Sequence, residues 1–282
     1  MKHQEGVFVG VRKAGLYYQG WLPEGEPKAV LLVVHGLAEH SGRYMNLVNR
    51  FVPQGFAVYG IDHLGHGRSE GRRLALERFT DYTEPLKAFS AMVRCWQPDR
   101  PVFLVGHSMG GLIGATYLLT NQEELAGAVL SGPAVMAPGH IPAATIFAGR
   151  VLSVLFPSVG IVDRGPMDDI CRDPAVVAAY IADPLVYQGK ITARLGAEML
   201  GAMEHLRKEA GRIRLPLLIV QGGADRLVNP AGAQVLYDGV ASPDKRLIVY
   251  EGFYHEVFNE PEHDRVLDDV ERWLGEHLAP GR

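Results

Sequence analysis

The sequence predicts an α/β protein whose mostly parallel sheet is covered by helices on both faces. Short, uninterrupted apolar runs, typical of strands buried on both sides, alternate along the chain with stretches whose apolar residues recur at helical spacing. The composition agrees, because 47% hydrophobic and 21% charged residues in a chain of 282 are ordinary values for a globular protein. In such a sheet we expect functional residues at the carboxyl ends of the strands.

The N-terminal part of the chain predicts a hairpin, two buried strands and one helix. Two short stretches rich in β-forming residues, 7–11 and 16–21, are separated by a glycine-containing turn and predict an antiparallel hairpin. Continuous apolar runs at 29–34 and 56–61 predict strands of a parallel sheet. Between them we expect a helix capped by Ser41. Its apolar stripe consists of Tyr44, Leu47, Val48 and Phe51.

The alternation continues through the middle of the chain and returns near its end. Strands are predicted at 102–105 and 128–130 with a helix at 109–119 between them, and further strands at 215–220 and 246–250. Two more helices each show one apolar face. Their apolar residues are Tyr82, Leu86, Phe89, Val93 and Trp96 in the first, and Val266, Val270, Trp273 and Leu274 in the last.

An insertion interrupts this rhythm. From about residue 134 to 208 no clear strand is predicted, and helical segments are punctuated by prolines. We therefore expect one domain in which residues 134–208 are inserted between core segments 1–133 and 209–282.

Charge and cysteine content exclude several classes of protein. The chain has 28 Lys and Arg against 32 Asp and Glu, a net charge of -4, and no long run of either sign, so we expect no nucleic-acid partner. Two cysteines, Cys95 and Cys171, do not make a disulfide framework and favour a reducing compartment. The first residues include Glu5 and lead into no long apolar run, so we expect no signal peptide and a cytoplasmic protein.

One motif predicts nucleophilic chemistry. Residues 106–110 read Gly-His-Ser-Met-Gly, the G-x-S-x-G pattern, and lie between a predicted strand and a predicted helix as the motif requires. The tight turn lifts the hydroxyl of Ser108 above the sheet at a helix N-terminus, where developing negative charge is favoured. We predict that Ser108 is a nucleophile, the alternative being a glycine-rich turn with an incidental serine.

A serine hydroxyl needs a base that removes its proton and a carboxylate that orients the base. Asp225 and His255 both follow predicted strands, which places the three residues in the order Ser, Asp, His. Taken singly, Asp225 could cap a loop and His255 could lie on the surface. Together with Ser108 they predict His255 as general base and then acid, and Asp225 as the group that fixes the imidazole tautomer.

Acyl transfer also needs hydrogen-bond donors for the oxyanion. By position these are the backbone amides of Leu37, after the first parallel strand, and Met109, after the nucleophile. The histidines do not predict a metal site, because no cysteine or HExxH partner accompanies them. We expect no metal and no cofactor, and we expect His63 and His66 to hydrogen-bond the glycine-rich loop around them.

Six segments carry a family resemblance. They are 35–44, 62–69, 106–111, 183–185, 223–227 and 250–255. Together they resemble the monoacylglycerol lipase branch of the α/β-hydrolases, within the wider group that includes lysophospholipases, and the resemblance spans nearly the whole chain. It implies an α/β-hydrolase fold, with an eight-stranded, mostly parallel sheet flanked by helices and a helical cap inserted after the sixth strand, where residues 134–208 fall.

The resemblance also implies roles for residues near the site. In the family the cap covers an apolar tunnel for one acyl chain, with polar residues at its inner end that receive glycerol. Glu39, Arg43 and Tyr180 match positions of this polar end; alternatively they form a loop salt bridge and a packed aromatic. Apolar residues of the cap suit contact with an acyl chain or a membrane surface, or else they pack the cap onto the core. They are Ile141, Ile146, Phe147, Val151, Leu152, Leu155 and Phe156.

The predicted activity is hydrolysis of carboxylic esters through an acyl-enzyme, with monoacylglycerols split into fatty acid and glycerol. The partner is then a small lipid ester, and we expect peripheral contact with membranes through the cap. A lysophospholipase or a short-chain carboxylesterase would use the same catalytic residues, and a non-catalytic binding protein is the alternative from another class. A peptidase of the proline iminopeptidase kind would need an acidic group in the cap. The candidates are Asp163, Asp168, Asp169 and Glu198.

Overall fold

The computed structural model describes residues 1–137 and 143–278, and an eight-stranded sheet lies at its centre. The strands of these residues are, in chain order, β1 (Lys2–Val9), β2 (Gly15–Leu22), β3 (Ala29–Val34), β4 (Phe56–Ile61), β5 (Val102–His107), β6 (Gly127–Ser131), β7 (Gly160–Val162), β8 (Ile191–Thr192), β9 (Leu217–Gly222) and β10 (Lys245–Tyr250). The sheet order is β1-β2-β4-β3-β5-β6-β9-β10. The pairings of β1 with β2 and of β2 with β4 are antiparallel, and all others in this sheet are parallel.

Helices cover both faces of the sheet. In the described residues they are α1 (Met45–Phe51), α2 (Thr80–Trp96), α3 (Met109–Asn121), α4 (Ala143–Leu155), α5 (Pro174–Ala182), α6 (Ala193–Glu209), α7 (Ala231–Gly239) and α8 (His263–Leu278). Alternate residues of β3 show how the layers form. Val30 and Leu32 pack in the apolar cluster that contains α2 and α3, while Leu31 and Val33 pack in the cluster that contains α1 and α8.

Trp96 differs from the other residues of the predicted apolar face of α2. Tyr82, Leu86, Phe89 and Val93 are buried as expected, but Trp96 is 37% exposed at the last residue of the helix. Its ring lies 5.1 Å from that of Tyr18, so it covers the hairpin side of the sheet and does not enter the core.

The parallel strands end at one edge of the sheet. Val34 of β3 pairs with Gly106 of β5, which in turn pairs with Leu130 of β6. On the far side, Tyr250 of β10 pairs with Gly222 of β9. The loops that leave β3, β5, β9 and β10 therefore emerge side by side, and these are the loops that carry the predicted catalytic residues.

The segment between β6 and β9, which we call the insertion, contains a feature that the sequence did not predict. Besides α4, α5 and α6 it holds a small antiparallel sheet of β7 and β8, in which Gly160 pairs with Thr192 and Val162 with Ile191. The expectation of no strand across 134–208 is therefore wrong. Strands of three and two residues are too short to show the alternation by which a strand is recognised in a sequence.

Ser41 does not cap α1 as predicted. It begins a short 3-10 turn, and α1 starts later, at Met45, without a side-chain cap. The buried hydroxyl of Ser41 instead donates to Oδ1 of Asp62 at 2.6 Å and accepts from Gln19 at 2.8 Å. The reason is burial, since a hydroxyl removed from water needs the strongest partner within reach.

Two of the residues predicted to form the apolar face of the cap are outside this description, namely Ile141 and the side chain of Phe147. Within residues 1–137 and 143–278, no helix is both long and apolar enough to span a bilayer.

Candidate active site

Ser108 lies in a sharp turn between β5 and α3. Its backbone has φ 55° and ψ -119°, a conformation that is costly for a residue with a Cβ. The glycines on either side make the turn possible. A Cβ on Gly106 would lie 2.6 Å from the carbonyl oxygen of Gly110, and a Cβ on Gly110 would lie 2.0 Å from that of Val34. The turn leaves Ser108 half-buried at the start of a helix.

Asp225 follows β9 and His255 follows β10, and their buried side chains meet. Oδ2 of Asp225 lies 2.7 Å from Nδ1 of His255. Because an ionised carboxylate only accepts, Nδ1 carries a proton and donates it, which leaves Nε2 of the neutral ring as an acceptor. Asp225 is itself held by the end of β9 and by its own loop: Oδ2 accepts from Gln221 of β9 at 3.0 Å, and Oδ1 accepts from the amides of Leu227 and Val228 at 2.9 and 3.1 Å.

The pairing shifts the pKa of both groups. Burial opposes the charged form of Asp225, but His255 and the backbone donors outweigh it and lower the pKa of the carboxyl. Burial also opposes the charged form of His255, yet the carboxylates of Asp225, Glu256 and Glu39 raise the pKa of the imidazole above its ordinary value. His255 is therefore a stronger base than a free imidazole.

The loops of Ser108 and His255 lie against each other. The ring of His107 has its centroid 4.7 Å from that of His255. The amide of Ser108 donates to the carbonyl oxygen of Ser131 at 2.9 Å. Gly132, which follows Ser131, lies close to His255, since a Cβ on this glycine would be 3.2 Å from Nδ1 of the imidazole. The structure thus brings Ser108, Asp225 and His255 to the same edge of the sheet.

The loop after β3 approaches Ser108 from the other side. A Cβ on Gly36 would lie 3.3 Å from the Cβ of Ser108. Nδ1 of His35 lies 2.7 Å from the carbonyl oxygen of Gly36, and Nε2 of the same ring accepts from the amide of His63 at 2.9 Å. Nδ1 of His35 therefore carries the proton and holds the Gly36–Leu37 peptide in one orientation.

The amides of Leu37 and Met109 are the predicted oxyanion donors. In the part of the chain that the structure describes, neither amide donates a hydrogen bond. Met109 is the first residue of α3, so its amide is one of the groups that a helix leaves unpaired at its N-terminus. Both amides are therefore unpaired among the described residues, as the predicted oxyanion role requires.

Glu39, Arg43 and Tyr180 form a buried cluster beside His107. Arg43 donates to Oε2 of Glu39 at 2.8 Å, and its guanidinium lies 4.4 Å from the centre of the Tyr180 ring. The other oxygen of Glu39 accepts from the hydroxyl of Tyr44 at 2.8 Å. Burial would raise the pKa of Glu39, but Arg43 and the neighbouring donors hold it well below its usual range. The three predicted residues are together, in the salt bridge and aromatic packing that the sequence allowed as an alternative.

Glu256 belongs to this cluster and was not predicted. Its two carboxylate oxygens accept from Nη1 and Nη2 of Arg43 at 2.6 and 2.8 Å. A cavity of about 10 Å³, room for one water molecule, borders the cluster. The sequence shows that an acidic residue directly follows His255. It does not show that this residue pairs with Arg43, which is 213 residues away in the chain.

His63 and His66 only partly behave as predicted. Nδ1 of His66 donates to the carbonyl oxygen of Leu64 at 3.0 Å, whereas neither ring nitrogen of His63 has a partner among the described residues. Both rings pack against His35, with centroids 4.2 and 5.3 Å away, and burial lowers the pKa of both. No group of three or more His, Cys, Asp or Glu side chains within residues 1–137 and 143–278 is placed to hold a metal ion.

The acidic residues that a peptidase would need in the insertion are mostly engaged. Asp168 is exposed. The other three are in ion pairs: Asp163 with Lys190, Asp169 with Arg226 and Glu198 with Arg194. The pairing leaves no buried, unpaired carboxylate among these four to hold a free amino terminus.

The sheet order, the insertion after β6 and the strand-turn-helix around Ser108 together define an α/β-hydrolase. Residues 25–262 match the Hydrolase_4 family, described as serine aminopeptidase, S33, and the chain belongs to this family. It is 41% identical to the monoacylglycerol lipase of Mycolicibacterium smegmatis over 274 residues, 97% of this chain and 98% of that protein. Human monoglyceride lipase is 34% identical over 269 residues, 94% of this chain and 88% of that protein.

A solved structure agrees with these relatives. The crystal structure of Paleococcus ferrophilus monoacylglycerol lipase matches with a TM-score of 0.84 at 32% identity, covering 93% of this chain and 99% of that chain. The predicted fold class and the predicted resemblance to the monoacylglycerol lipase branch are both confirmed.

Proposed function

We propose that this protein is a serine ester hydrolase that splits monoacylglycerols into fatty acid and glycerol. The observation that carries the proposal is the buried pair of Asp225 and His255, with Oδ2 and Nδ1 2.7 Å apart. This pair lies beside the positive-φ turn that presents Ser108. The similarity to monoacylglycerol lipases along nearly the whole chain supports the substrate class.

In the proposed reaction Ser108 attacks the ester carbonyl carbon while Nε2 of His255 takes the hydroxyl proton. The amides of Leu37 and Met109 donate to the oxyanion of the tetrahedral intermediate. When this intermediate collapses, the imidazolium gives its proton to the departing alcohol, and water then releases the fatty acid by the same two steps. Asp225 keeps the imidazole in the required tautomer and stabilises its charged form.

We assign residues 134–208 as a cap between core segments 1–133 and 209–282. The strands β7 and β8 form a sheet of their own, separate from the main sheet. Part of this segment also has an apolar cluster of its own, which supports the assignment. The buried members of that cluster are Ile170, Cys171, Val177, Tyr180 and Val186.

The end of α4 and the turn after it form the surface that we propose for contact with lipid. This apolar patch is exposed, and its residues share one short segment of the cap. Their exposed fractions are 42% for Val151, 69% for Val154, 64% for Leu155, 57% for Phe156 and 49% for Val159. Exposed apolar clusters of this kind mark interaction surfaces, and a monoacylglycerol is drawn from a lipid phase.

We keep Glu39, Arg43 and Tyr180 as proposed residues of the alcohol end of the site. Their support is position, since the cluster borders His107 next to the nucleophile turn. A polar leaving group such as glycerol needs hydrogen-bonding partners where an acyl chain needs apolar ones.

The proposal is tested by fatty acid release from a panel of mono-, di- and triacylglycerols and a lysophospholipid, and by amine release from an aminoacyl amide, for this protein and for Ser108→Ala. We expect preference for monoacylglycerol and loss of activity in the variant. If the protein prefers another ester and Ser108→Ala is inactive, the proposed mechanism is retained and the proposed substrate is wrong. Undiminished hydrolysis by a folded Ser108→Ala protein would contradict the mechanism.

A further inference from the structure

The loop that carries His255 is joined to the insertion by a row of contacts. The amide of Glu256 donates to the carbonyl oxygen of Ile170 at 2.8 Å, and Sγ of Cys171 donates to the carbonyl oxygen of Asn259 at 3.1 Å. The contacts place residues 170–173 along the loop directly after the proposed base.

The buried carboxylate of Glu260 lies at the centre of this junction. Glu260 is 0% exposed. Its Oε1 accepts from the amide of Tyr254 at 3.0 Å and from the amide of Arg172 at 3.1 Å, and its Oε2 accepts from Nε of Arg172. The guanidinium of Arg172 also lies 4.9 Å from the centre of the Phe253 ring.

The arrangement restrains the backbone at His255 from its N-terminal side. The amide of Tyr254 belongs to the peptide between Phe253 and Tyr254, so its hydrogen bond to Glu260 restrains the backbone one residue before His255. Asp225 restrains the other end, the ring nitrogen Nδ1. A carboxylate removed from water is tolerated only when donors satisfy it, and here each donor belongs either to the His255 loop or to Arg172 of the insertion.

We propose that Glu260 is a positioning residue for His255. Through Glu260, the alignment of the imidazole depends on how residues 170–173 of the insertion pack against the loop of His255. The proposal rests on the proposed function for its catalytic meaning. Glu260 contacts neither the turn of Ser108 nor the cluster around Arg43, so its effect reaches the reaction through the placement of His255.

The chain offers a matched control for this role. Arg172 also contacts Glu262, whose side chain is 48% exposed and does not accept from the amide of Tyr254. Glu260→Gln and Glu262→Gln each remove one negative charge next to the same arginine. A carboxamide has only one oxygen acceptor, so Gln at position 260 cannot accept from Nε of Arg172 and from the amides of Arg172 and Tyr254 in the arrangement of the carboxylate, whereas Glu262→Gln changes no contact to Tyr254.

The experiment compares both variants with the wild type and with Ser108→Ala, using a soluble p-nitrophenyl ester of a short acid. We expect Glu260→Gln to lower kcat by about 10- to 100-fold, with KM within about twofold, because a misplaced catalytic group costs rate and leaves substrate binding intact. Glu262→Gln is expected to stay within about twofold in both constants. A folded Glu260→Gln protein with wild-type kcat, or with a raised KM alone, would overturn the proposal.

Two further measurements keep the test decisive. Arg172→Lys retains a cation beside Glu260 but cannot reproduce the Nε contact, so it is expected to give a smaller loss of kcat and serves if Glu260→Gln does not fold. The proton NMR signal of Nδ1–H of His255, assigned by its loss in His255→Gln, reports the pair with Asp225 without any turnover. It is expected to shift in Glu260→Gln and to stay in Glu262→Gln, and an unchanged signal in both would refute the role even if the wild type hydrolysed none of the esters.

Discussion

The guanidinium of Arg43 donates hydrogen bonds from Nη1 and Nη2 to the two carboxylate oxygens of Glu256, the residue directly after His255, at 2.6 and 2.8 Å. The same arginine donates to Glu39 and lies over the ring of Tyr180 of the insertion. One cation thus joins the loop after β3, the loop after β10 and α5, and the carboxylates that surround it also act on His255.

Removing the charge of Glu256 is expected to change the pH dependence of hydrolysis. In the wild type, burial lowers the pKa of His255, but Asp225, Glu256 and Glu39 raise it to a net value above the ordinary 6.5. Because the neutral imidazole is the proposed base, we expect the acid limb of the kcat/KM profile at a pH above the ordinary imidazole pKa, and we expect it to move to lower pH in Glu256→Gln. Glu251→Gln is the control, because Glu251 lies on the same loop but is exposed. An acid limb at the same pH in Glu256→Gln and in the wild type would show that the charge of Glu256 does not act on His255.

Asp225→Asn is expected to lower kcat by about 10⁴-fold. The amide group of the variant can present N–H to Nδ1 of His255, which forces the proton onto Nε2 and removes the base. Circular dichroism and thermal unfolding should show that the variant is folded, because the loop amides of Leu227 and Val228 still find an oxygen acceptor. A kcat within about tenfold of the wild type would show that the pair is not the catalytic one.

The ring of His35 is expected to hold the amide of Leu37, the proposed oxyanion donor, in place. In His35→Gln the donor to the carbonyl of Gly36 is lost, and kcat is expected to fall by up to about 100-fold, less than the loss of a whole oxyanion donor. His35→Asn keeps an N–H at the position of Nδ1 and should retain more of the rate. Equal losses in the two variants, measured by single-turnover acylation, would point to packing instead of peptide orientation.

Two glycine-to-alanine changes are expected to have opposite effects on stability. At Gly110 the new Cβ would lie 2.0 Å from a backbone oxygen, so we expect a loss of about 3 kcal/mol or more. At Gly201, inside α6, the Cβ meets nothing within 4 Å, and the gain in helix propensity is about 0.5–1 kcal/mol. Thermal unfolding measures both, and a destabilised Gly201→Ala protein would show that this face of α6 is not open as described.

The apolar patch at the end of α4 is expected to drive binding to lipid vesicles. Replacing Val154, Leu155 and Phe156 together by serine should weaken co-sedimentation by about tenfold or more, because burial of each side chain is worth about 1.5–3 kcal/mol. The control replaces Val7 and Val9, which are 66% and 73% exposed on β1. Equal binding by the two variants would show that the patch is not the surface that contacts lipid. Hydrolysis of a soluble ester by the triple variant would show that its active site is intact.

The positions of the predicted catalytic residues could be read from the sequence because each depends on a local pattern. Ser108 is specified by the glycines of its own turn, and Asp225 and His255 each follow an apolar strand. Parallel strands bring their carboxyl ends to one edge, so three distant segments could be expected to meet without any knowledge of side-chain contacts.

The short strands β7 and β8 and the role of Ser41 could not be read in this way. A strand of two or three residues shows no period, and a serine before a helix looks like a cap unless its partner is known. For Ser41 that partner is Asp62, 21 residues further along the chain.

The sequence by itself determined the fold class, the turn that carries Ser108 and the order of Ser108, Asp225 and His255, because hydrophobic period and turn chemistry are properties of neighbouring residues. Only the tertiary structure decided how Glu256 and Glu260 act, since their partners Arg43 and Arg172 are 213 and 88 residues away in the chain. The pKa and the role of a buried charged group depend on the groups that surround it in space. Those groups are often far away along the chain, so they cannot be identified from the sequence alone.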